Sequence, residues 1–112
     1  MIDLEQIQRE HKEWVERNFP SESPDRDVEH ATLGVCEEAG ELAHAILKRA
    51  QGVRGSNADL TSEALDALGD IFIYSLTVAD YFGMSIETIY ASTWNKVKQR
   101  DWVADPQSGG EL

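Results

Sequence analysis

Three glutamates that stand close together in one predicted helix are the residues of this chain best placed to do chemistry. Glu37, Glu38 and Glu41 lie in a stretch that is otherwise mostly apolar or small, and a turn every ~3.6 residues places all three within about 100° of arc. A pair of adjacent glutamates is usually solvated surface, but apolar residues surround Glu41. The spacing therefore predicts one acidic face on a largely buried helix.

A second acidic face follows on the next predicted helix. Glu63, Asp66 and Asp70 stand at positions i, i+3 and i+7, a spacing that puts side chains on a shared face. The stretch 64–79 is otherwise apolar on nearly every side, which is typical of a buried helix. Asp66 and Asp70 could form structural ion pairs with basic residues. Otherwise, clustered carboxylates repel one another unless they take up protons or a cation neutralises them.

The types of the candidate ligands indicate which cation would bind. All of them are carboxylates, without a set of cysteines or histidines, so Mg²⁺, or else Mn²⁺, fits better than Zn²⁺. Magnesium in turn favours a substrate that carries phosphates. Six of the ten basic residues form two groups, which are Lys48, Arg49 and Arg54, and Lys96, Lys98 and Arg100. Lys48 shares a helix face with Glu41 and could reach a phosphate, whereas the second group could instead complement a helix dipole.

The charge of the whole chain limits its partners. The 112 residues include 10 Lys and Arg against 21 Asp and Glu, which gives a formal charge of −11. Such a charge repels nucleic acid and anionic membranes, and the longest apolar stretch, 71–79, is about half of a bilayer span. Cys36 is the single cysteine, and the N-terminus lacks a secretory pattern. We therefore expect a cytoplasmic protein without nucleic-acid or membrane partners.

Four helices are predicted to position these residues. The first ends at Asn18, before Pro20. After a loop over 20–26, Asp25 or Asp27 caps a second helix that runs to Gln51. Ser56 caps a third helix that ends near Gly83, and Ser85 caps a fourth that fades after Arg100. Because no strand-like alternation or repeat is present, the fold class is all-α, a four-helix antiparallel bundle in one domain, 1–102, with a disordered tail, 103–112.

Several of these residues also match a known family. The run Glu37-Glu38-Ala39-Gly40-Glu41, followed by Asp70-Ile71-Phe72-Ile73-Tyr74 on the next helix, resembles the all-α MazG-like pyrophosphohydrolases over most of 4–102. Their pattern is Glu-Glu-x-x-Glu, then Glu-x-x-Asp before an apolar run with tyrosine, and its carboxylates bind magnesium. The resemblance implies that Glu38, Glu41 and Asp70 are metal ligands. Ala67 stands where the second motif has its glutamate, so we expect Asp66 to complete the ligand set, with Glu63 as the other possibility.

The resemblance further implies a reaction and a set of substrate contacts. Water attacks the α-phosphorus of a (d)NTP to give (d)NMP and pyrophosphate, with Glu37 as the general base, and the role is removal of non-standard or surplus nucleotides. The segment 94–102 is similar to the one by which such enzymes hold phosphates. We therefore expect phosphate binding by Asn95, Lys98 and Arg100, joined by Lys48 because of its position on the face of Glu41. Independently of the resemblance, we expect a base pocket that includes His11, Trp14 and Asn18. Members of the family work as dimers or dimers of dimers, which implies a homodimer or homotetramer.

Three other functions stay open on the sequence alone. Glu41-Leu42-Ala43-His44 is one Glu-x-x-His motif of the kind that di-iron carboxylate bundles use in pairs, so a symmetric partner would have to supply the second. Phosphoribosyl-ATP pyrophosphohydrolases have a similar acidic helix. A non-catalytic bundle that binds a basic protein would also account for the charge of −11. The preferred base and sugar, and the choice between dimer and tetramer, do not follow from the sequence.

Overall fold

The computed structural model describes residues 2–21 and 23–110, and in this part of the chain it contains four α-helices and no strand. The helices are α1 (Leu4–Asn18), α2 (Pro24–Gln51), α3 (Asn57–Tyr81) and α4 (Ile86–Val97). The all-α class predicted from the sequence is confirmed. None of the helices in these residues combines the length and the apolar character that a membrane span needs.

Serine side chains cap three of the four helices. Ser56 and Ser85 accept hydrogen bonds from backbone N–H groups in the first turns of α3 and α4, as the sequence predicts. The prediction for α2 was wrong, because the helix begins at Pro24 with Ser23 as its cap, rather than after a loop that extends to residue 26. Proline suits the first helical position, where its missing N–H costs nothing and its φ is already helical.

A long antiparallel hairpin of α2 and α3 contains the core. The buried apolar side chains are mostly alanines, namely Ala31 and Ala45 on α2 and Ala64, Ala67 and Ala79 on α3, together with Leu60 and Leu76. At the far end of the hairpin, the Tyr81 hydroxyl donates a hydrogen bond to Asp25 Oδ1 at 2.5 Å. Gly52, with a φ of 69°, ends α2 in the left-handed conformation, which glycine adopts without steric cost.

The side chain of Gln8 links α1 by hydrogen bonds to the end of α3 and the start of α4. Its Nε2 donates hydrogen bonds to Asp80 Oδ1 at 2.8 Å and to the Met84 carbonyl at 3.0 Å, and its Oε1 accepts one from the Ile86 N–H at 2.8 Å. The helix α1 therefore packs on α3 and α4 and makes no close backbone approach to α2. A cleft is left between α1 and the hairpin.

Residues 98–110 form a series of turns. Asp101 Oδ1 accepts hydrogen bonds from two backbone N–H groups, as does Asp105 Oδ1, and the Asp101 N–H donates to the Gly109 carbonyl at 2.8 Å. Where the sequence predicts a disordered tail, the described part of it, 103–110, is thus folded by aspartate side chains that bind their own backbone. Residues 111 and 112 lie outside the described residues.

A single chain leaves much of its apolar surface exposed. Its radius of gyration is 17.5 Å, compared with about 13 Å for a compact domain of this length. The large apolar side chains that are more than half exposed include Leu33, Ile46, Leu47, Leu65, Leu68, Phe82, Tyr90 and Trp94. These residues lie on α2, on α3 and its C-cap, and on α4, so all of the last three helices have uncovered apolar surface.

Candidate active site

The three glutamates of α2 form a cluster near the middle of the helix. One carboxylate oxygen of each of Glu37, Glu38 and Glu41 lies within 4.8 Å of the others. Glu37 and Glu41 are exposed, whereas Glu38 is only 8% exposed. The cluster thus joins one buried carboxylate to two that face solvent.

The charged form of the Glu38 carboxylate is disfavoured by burial and by the carboxylates around it. Its Oε2 atom is buried and has no hydrogen-bond partner. Burial raises the pKa of Glu38, and the hydrogen bond with Glu41 and the charges of Glu41, Asp70 and Glu37 raise this pKa further. Asp70 belongs to α3, so both helices of the hairpin bring carboxylates to this point. A buried carboxylate of this kind is stabilised either by a proton or by a cation.

Two cavities border the carboxylates. The first, which we call the acidic cavity, has a volume of about 410 Å³ and is lined by Glu37, Gly40, Glu41, His44 and Glu63. The second, which we call the aromatic cavity, has a volume of about 520 Å³ and lies in the cleft between α1 and the hairpin. Its lining includes Glu38 and Asp70 together with His11, Trp14, Phe19, His30 and Tyr74. The carboxylates of α2 and α3 are therefore divided between the two cavities: Glu37, Glu41 and Glu63 line the acidic cavity, and Glu38 and Asp70 line the aromatic cavity.

The ring-bearing side chains of α1 and its C-cap form one wall of the aromatic cavity. The rings of His11 and Trp14 are stacked with centroids 6.4 Å apart, and Phe19 meets Trp14 edge-on at 5.7 Å. His11 Nδ1 is buried without a hydrogen-bond partner. Burial lowers the pKa of His11, against the opposing charge of Asp80. A flat aromatic wall that carries one unpaired polar atom suits a planar ring with polar edges.

The MazG nucleotide pyrophosphohydrolase domain family matches residues 26–103. The chain belongs to this family. The recognition made from the sequence is confirmed, and membership supports a hydrolase that acts on a nucleotide, in a family that depends on divalent metal. The matched range includes the whole glutamate cluster and Asp70 and excludes α1. No curated protein and no solved structure matches this chain.

In this MazG domain, Glu63 and Asp66 occupy different surroundings. Both side chains are exposed, but Glu63 lines the acidic cavity with Glu37 and Glu41, whereas Asp66 lines neither the acidic nor the aromatic cavity. Helical geometry accounts for the difference, because the buried Ala67 lies about 40° around the axis from Glu63 but about 100° from Asp66, so Asp66 points further from α2. Ala67 is 2% exposed, in the contact between α2 and α3. Of the two residues considered as a replacement for the missing glutamate, only Glu63 is brought to the α2 carboxylates.

The residues expected to bind phosphate line neither cavity of the MazG domain in the described chain. Lys48 Nζ donates a hydrogen bond to Gln51 Oε1 at 3.0 Å, one turn along its own helix. Asn95, Lys98 and Arg100 are exposed on α4 or just after it. Asn18 donates from its side chain to the Trp14 carbonyl at 2.9 Å and does not line the aromatic cavity, unlike His11 and Trp14.

Sequence reasoning did not single out His30 as a site residue and took Tyr74 only as part of a motif. Both residues line the aromatic cavity of the MazG domain. Helical spacing could have indicated them, because His30 precedes Glu38 by eight residues and Tyr74 follows Asp70 by four, and each pair therefore shares a helix face. The spacing alone does not say that the two faces turn toward α1.

Proposed function

We propose that this chain is a magnesium-dependent hydrolase that converts a nucleoside triphosphate, (d)NTP, to (d)NMP and pyrophosphate. The observation that carries the proposal is the buried Glu38 carboxylate, whose Oε2 has no partner and which lies among other carboxylates beside a ring-lined cavity. Membership of the MazG family supports the reaction class. The role we infer is cytoplasmic removal of non-standard or surplus nucleotides.

Glu38, Glu41 and Asp70 are the residues that we propose as metal ligands. Their carboxylate oxygens suit Mg²⁺, and Mn²⁺ as its substitute, and the unpartnered Oε2 of Glu38 is a buried acceptor that a cation would satisfy. Glu63 is the further candidate from α3, because it lines the acidic cavity with Glu41. A bound divalent cation supplies positive charge for phosphate oxygens and makes water easier to deprotonate.

Glu37 is the residue that we propose as general base. It is exposed, it lies within the glutamate cluster, and it lines the acidic cavity where water has access. The oxygen of water bonds to the α-phosphorus while the bond from that phosphorus to the α–β bridging oxygen breaks, so that pyrophosphate leaves. Glu37 accepts the proton released from the attacking water and passes it to solvent.

The aromatic cavity is the proposed site of the nucleobase. His11 and Trp14 supply its stacked wall, and Asn18 acts indirectly by holding the Trp14 carbonyl. Because Glu38 and Asp70 belong to the same cavity, a base stacked on this wall leaves the phosphates beside the metal ligands. Both the sugar and the base are therefore held on the α1 side of the hairpin.

A homodimer or homotetramer completes the proposal. The apolar side chains left uncovered on α2, α3 and α4 are of the kind that subunit contacts bury. A second subunit also offers a way for Lys48, Asn95, Lys98 and Arg100 to reach a phosphate, since they line neither cavity of the described chain. Light scattering after size-exclusion chromatography measures the assembly, and a monomer at micromolar concentration would contradict this part.

The deciding experiment is pyrophosphate release from a panel of standard, deoxy and modified NTPs in Mg²⁺, Mn²⁺ or EDTA. We expect metal-dependent formation of NMP and pyrophosphate by the wild type, and its loss in Glu38→Gln, Glu41→Gln and Asp70→Asn. Glu13→Gln is the matched control, because Glu13 is an exposed glutamate of α1. Activity in EDTA, full activity in all three site variants, or silence across the panel would contradict the proposal.

A further inference from the structure

Gly34 lies within α2, and its backbone conformation does not explain why it is glycine. The glycines with positive φ are Gly52, Gly55, Gly83, Gly109 and Gly110, and Gly34 is not among them. A glycine inside a helix destabilises the helix relative to alanine, because glycine has more backbone freedom in the unfolded chain and loses more of it on folding. The presence of glycine at position 34 therefore depends on the space beside its Cα atom.

That space is occupied by the ring of Tyr74. A Cβ atom added to Gly34 would lie 2.7 Å from Tyr74 Cε1 and Cζ and 2.8 Å from Cε2, which is well inside van der Waals contact. The other two glycines inside helices, Gly40 and Gly69, have no atom within 4 Å of an added Cβ. Gly34 thus differs from both in that its missing side chain makes room for a ring.

Tyr74 is part of the lining of the aromatic cavity, one turn after Asp70 on α3. Its side chain is 36% exposed, so its ring is not enclosed by the core and can turn if it is pushed. A methyl group at position 34 would overlap the ring, and we expect the ring to move away from it toward the aromatic cavity that it lines. The width of the cavity at this point therefore depends on the absence of a side chain at Gly34.

We propose that Gly34 is a positioning residue for nucleobase selection, which acts by seating Tyr74 against α2 and so keeps the aromatic cavity wide. The inference rests on the proposed function and deepens it, since the selected group is the base of the NTP. A narrower cavity excludes the two-ring purines more than the one-ring pyrimidines. The nearest atoms to a methyl group at position 34 are those of the Tyr74 ring, so the expected effect is on the aromatic cavity, and Mn²⁺ binding is the control for Glu38, which lies one turn further along the same helix.

The test compares Gly34→Ala with Gly69→Ala, the same substitution inside a helix but with open space around the new methyl group. We expect Gly34→Ala to lower kcat/KM for purine NTPs relative to pyrimidine NTPs by about tenfold, the scale of one methyl group in a close-fitting pocket. The change should lie mainly in KM, and Mn²⁺ binding should equal that of the wild type. Gly69→Ala should keep the wild-type ratio.

A double-mutant cycle asks whether Gly34 acts through Tyr74. If it does, adding Gly34→Ala to Tyr74→Ala should change the purine-to-pyrimidine ratio no further, because the ring that the methyl group displaces is gone. The Tyr74→Ala variant alone should shift the ratio toward purines by widening the cavity. This variant also tests the inference if Gly34→Ala does not fold, since an unchanged ratio in Tyr74→Ala would overturn it.

The outcomes separate this inference from the function on which it rests. If the wild type neither cleaves nor binds any NTP, the proposed function fails, and the selection role fails with it. If the wild type turns over NTPs but Gly34→Ala keeps the same base ratio as Gly69→Ala, the positioning role alone is overturned. An equal effect of Gly34→Ala with and without the Tyr74 ring would also overturn it.

Discussion

The Oε1 atom of Gln8 accepts a hydrogen bond from the backbone N–H of Ile86 at 2.8 Å, across 78 residues of sequence. The same side chain donates from Nε2 to Asp80 and to Met84, so one amide joins α1 to the end of α3 and the start of α4. Because α1 supplies His11 and Trp14 to the aromatic cavity, the placement of that wall depends on Gln8.

We therefore predict that Gln8→Ala loosens α1. Loss of the amide removes three hydrogen bonds, two of them part-buried, which should lower the free energy of unfolding by about 1 to 3 kcal/mol. The KM for the nucleotide should rise while Mn²⁺ affinity stays unchanged. Chemical denaturation and a metal titration measure the two effects. Gln6→Ala is the control, because the Gln6 amide donates a hydrogen bond to Glu10 on the exposed face of the same helix. Equal destabilisation by both substitutions would contradict the role of Gln8.

A second prediction separates the two candidate ligands of α3. Glu63→Gln should weaken Mg²⁺ or Mn²⁺ binding by at least about tenfold, the lower end of the effect of altering a group that only supports a metal ligand, because Glu63 lines the acidic cavity with Glu41. Asp66→Asn should leave the affinity unchanged, since Asp66, which is exposed like Glu63, lines neither cavity. Isothermal titration with Mn²⁺ measures both affinities. The opposite order would restore the assignment of Asp66 that the sequence favours.

A third prediction follows from the raised pKa of Glu38. A carboxyl whose folded-state pKa lies above its ordinary value of 4.5 contributes stability below that value, and this contribution is lost as the pH rises through the folded-state pKa. In EDTA at neutral pH, Glu38→Gln should therefore melt at a higher temperature than the wild type. The difference should shrink as the pH falls through the folded-state pKa toward 4.5, and it should be absent below 4.5.

Bound metal should act in the opposite direction on the melting temperatures of the wild type and Glu38→Gln. Added Mg²⁺ should raise the melting temperature of the wild type, because a ligand that binds the folded state stabilises it, and should not raise that of Glu38→Gln. Glu13→Gln controls for the loss of one negative charge. A Glu38→Gln variant that is less stable than the wild type in EDTA at neutral pH would contradict the account of a buried, unpartnered carboxylate.

A fourth prediction concerns His11, whose pKa burial lowers. The stability that this neutral imidazole contributes is present above its ordinary pKa of 6.5, and it is lost as the pH falls through the lowered folded-state pKa, because the unfolded chain binds the proton more readily. Denaturation of the wild type and of His11→Phe, at neutral pH and at about pH 5, measures the effect. The wild type should lose more stability on acidification than His11→Phe, and equal losses would sink the prediction.

The helices could be predicted where their boundaries are set by local chemistry. Ser56 and Ser85 cap their helices, and Pro20 follows the end of the first, because a cap or a proline acts on the residues next to it. The start of α2 was missed because Pro24 lies in a stretch of prolines and serines that is typical of a loop. Proline is also favoured at the first position of a helix. Composition cannot distinguish these two uses of proline.

The site could be predicted within each helix but not between helices. The glutamate cluster follows from spacing on one helix. The choice between Glu63 and Asp66 depends on a rotation of about 60°, which decides whether a side chain meets the neighbouring helix. The Tyr74 ring lies against Gly34, 40 positions away in the sequence, and nothing in the residue spacing of either helix indicates this contact. Contacts between distant segments depend on packing angles, which periodicity does not encode.

The alanine-rich contact between α2 and α3 has a thermodynamic consequence. Among residues 2–21 and 23–110, only two large apolar side chains, Leu60 and Leu76, are buried, so one chain removes little apolar area from water. The heat-capacity change of unfolding follows that area, and an isolated chain should therefore show a small heat-capacity change and a broad melting transition. If subunits cover the exposed apolar side chains, melting becomes sharper, and its midpoint rises with protein concentration.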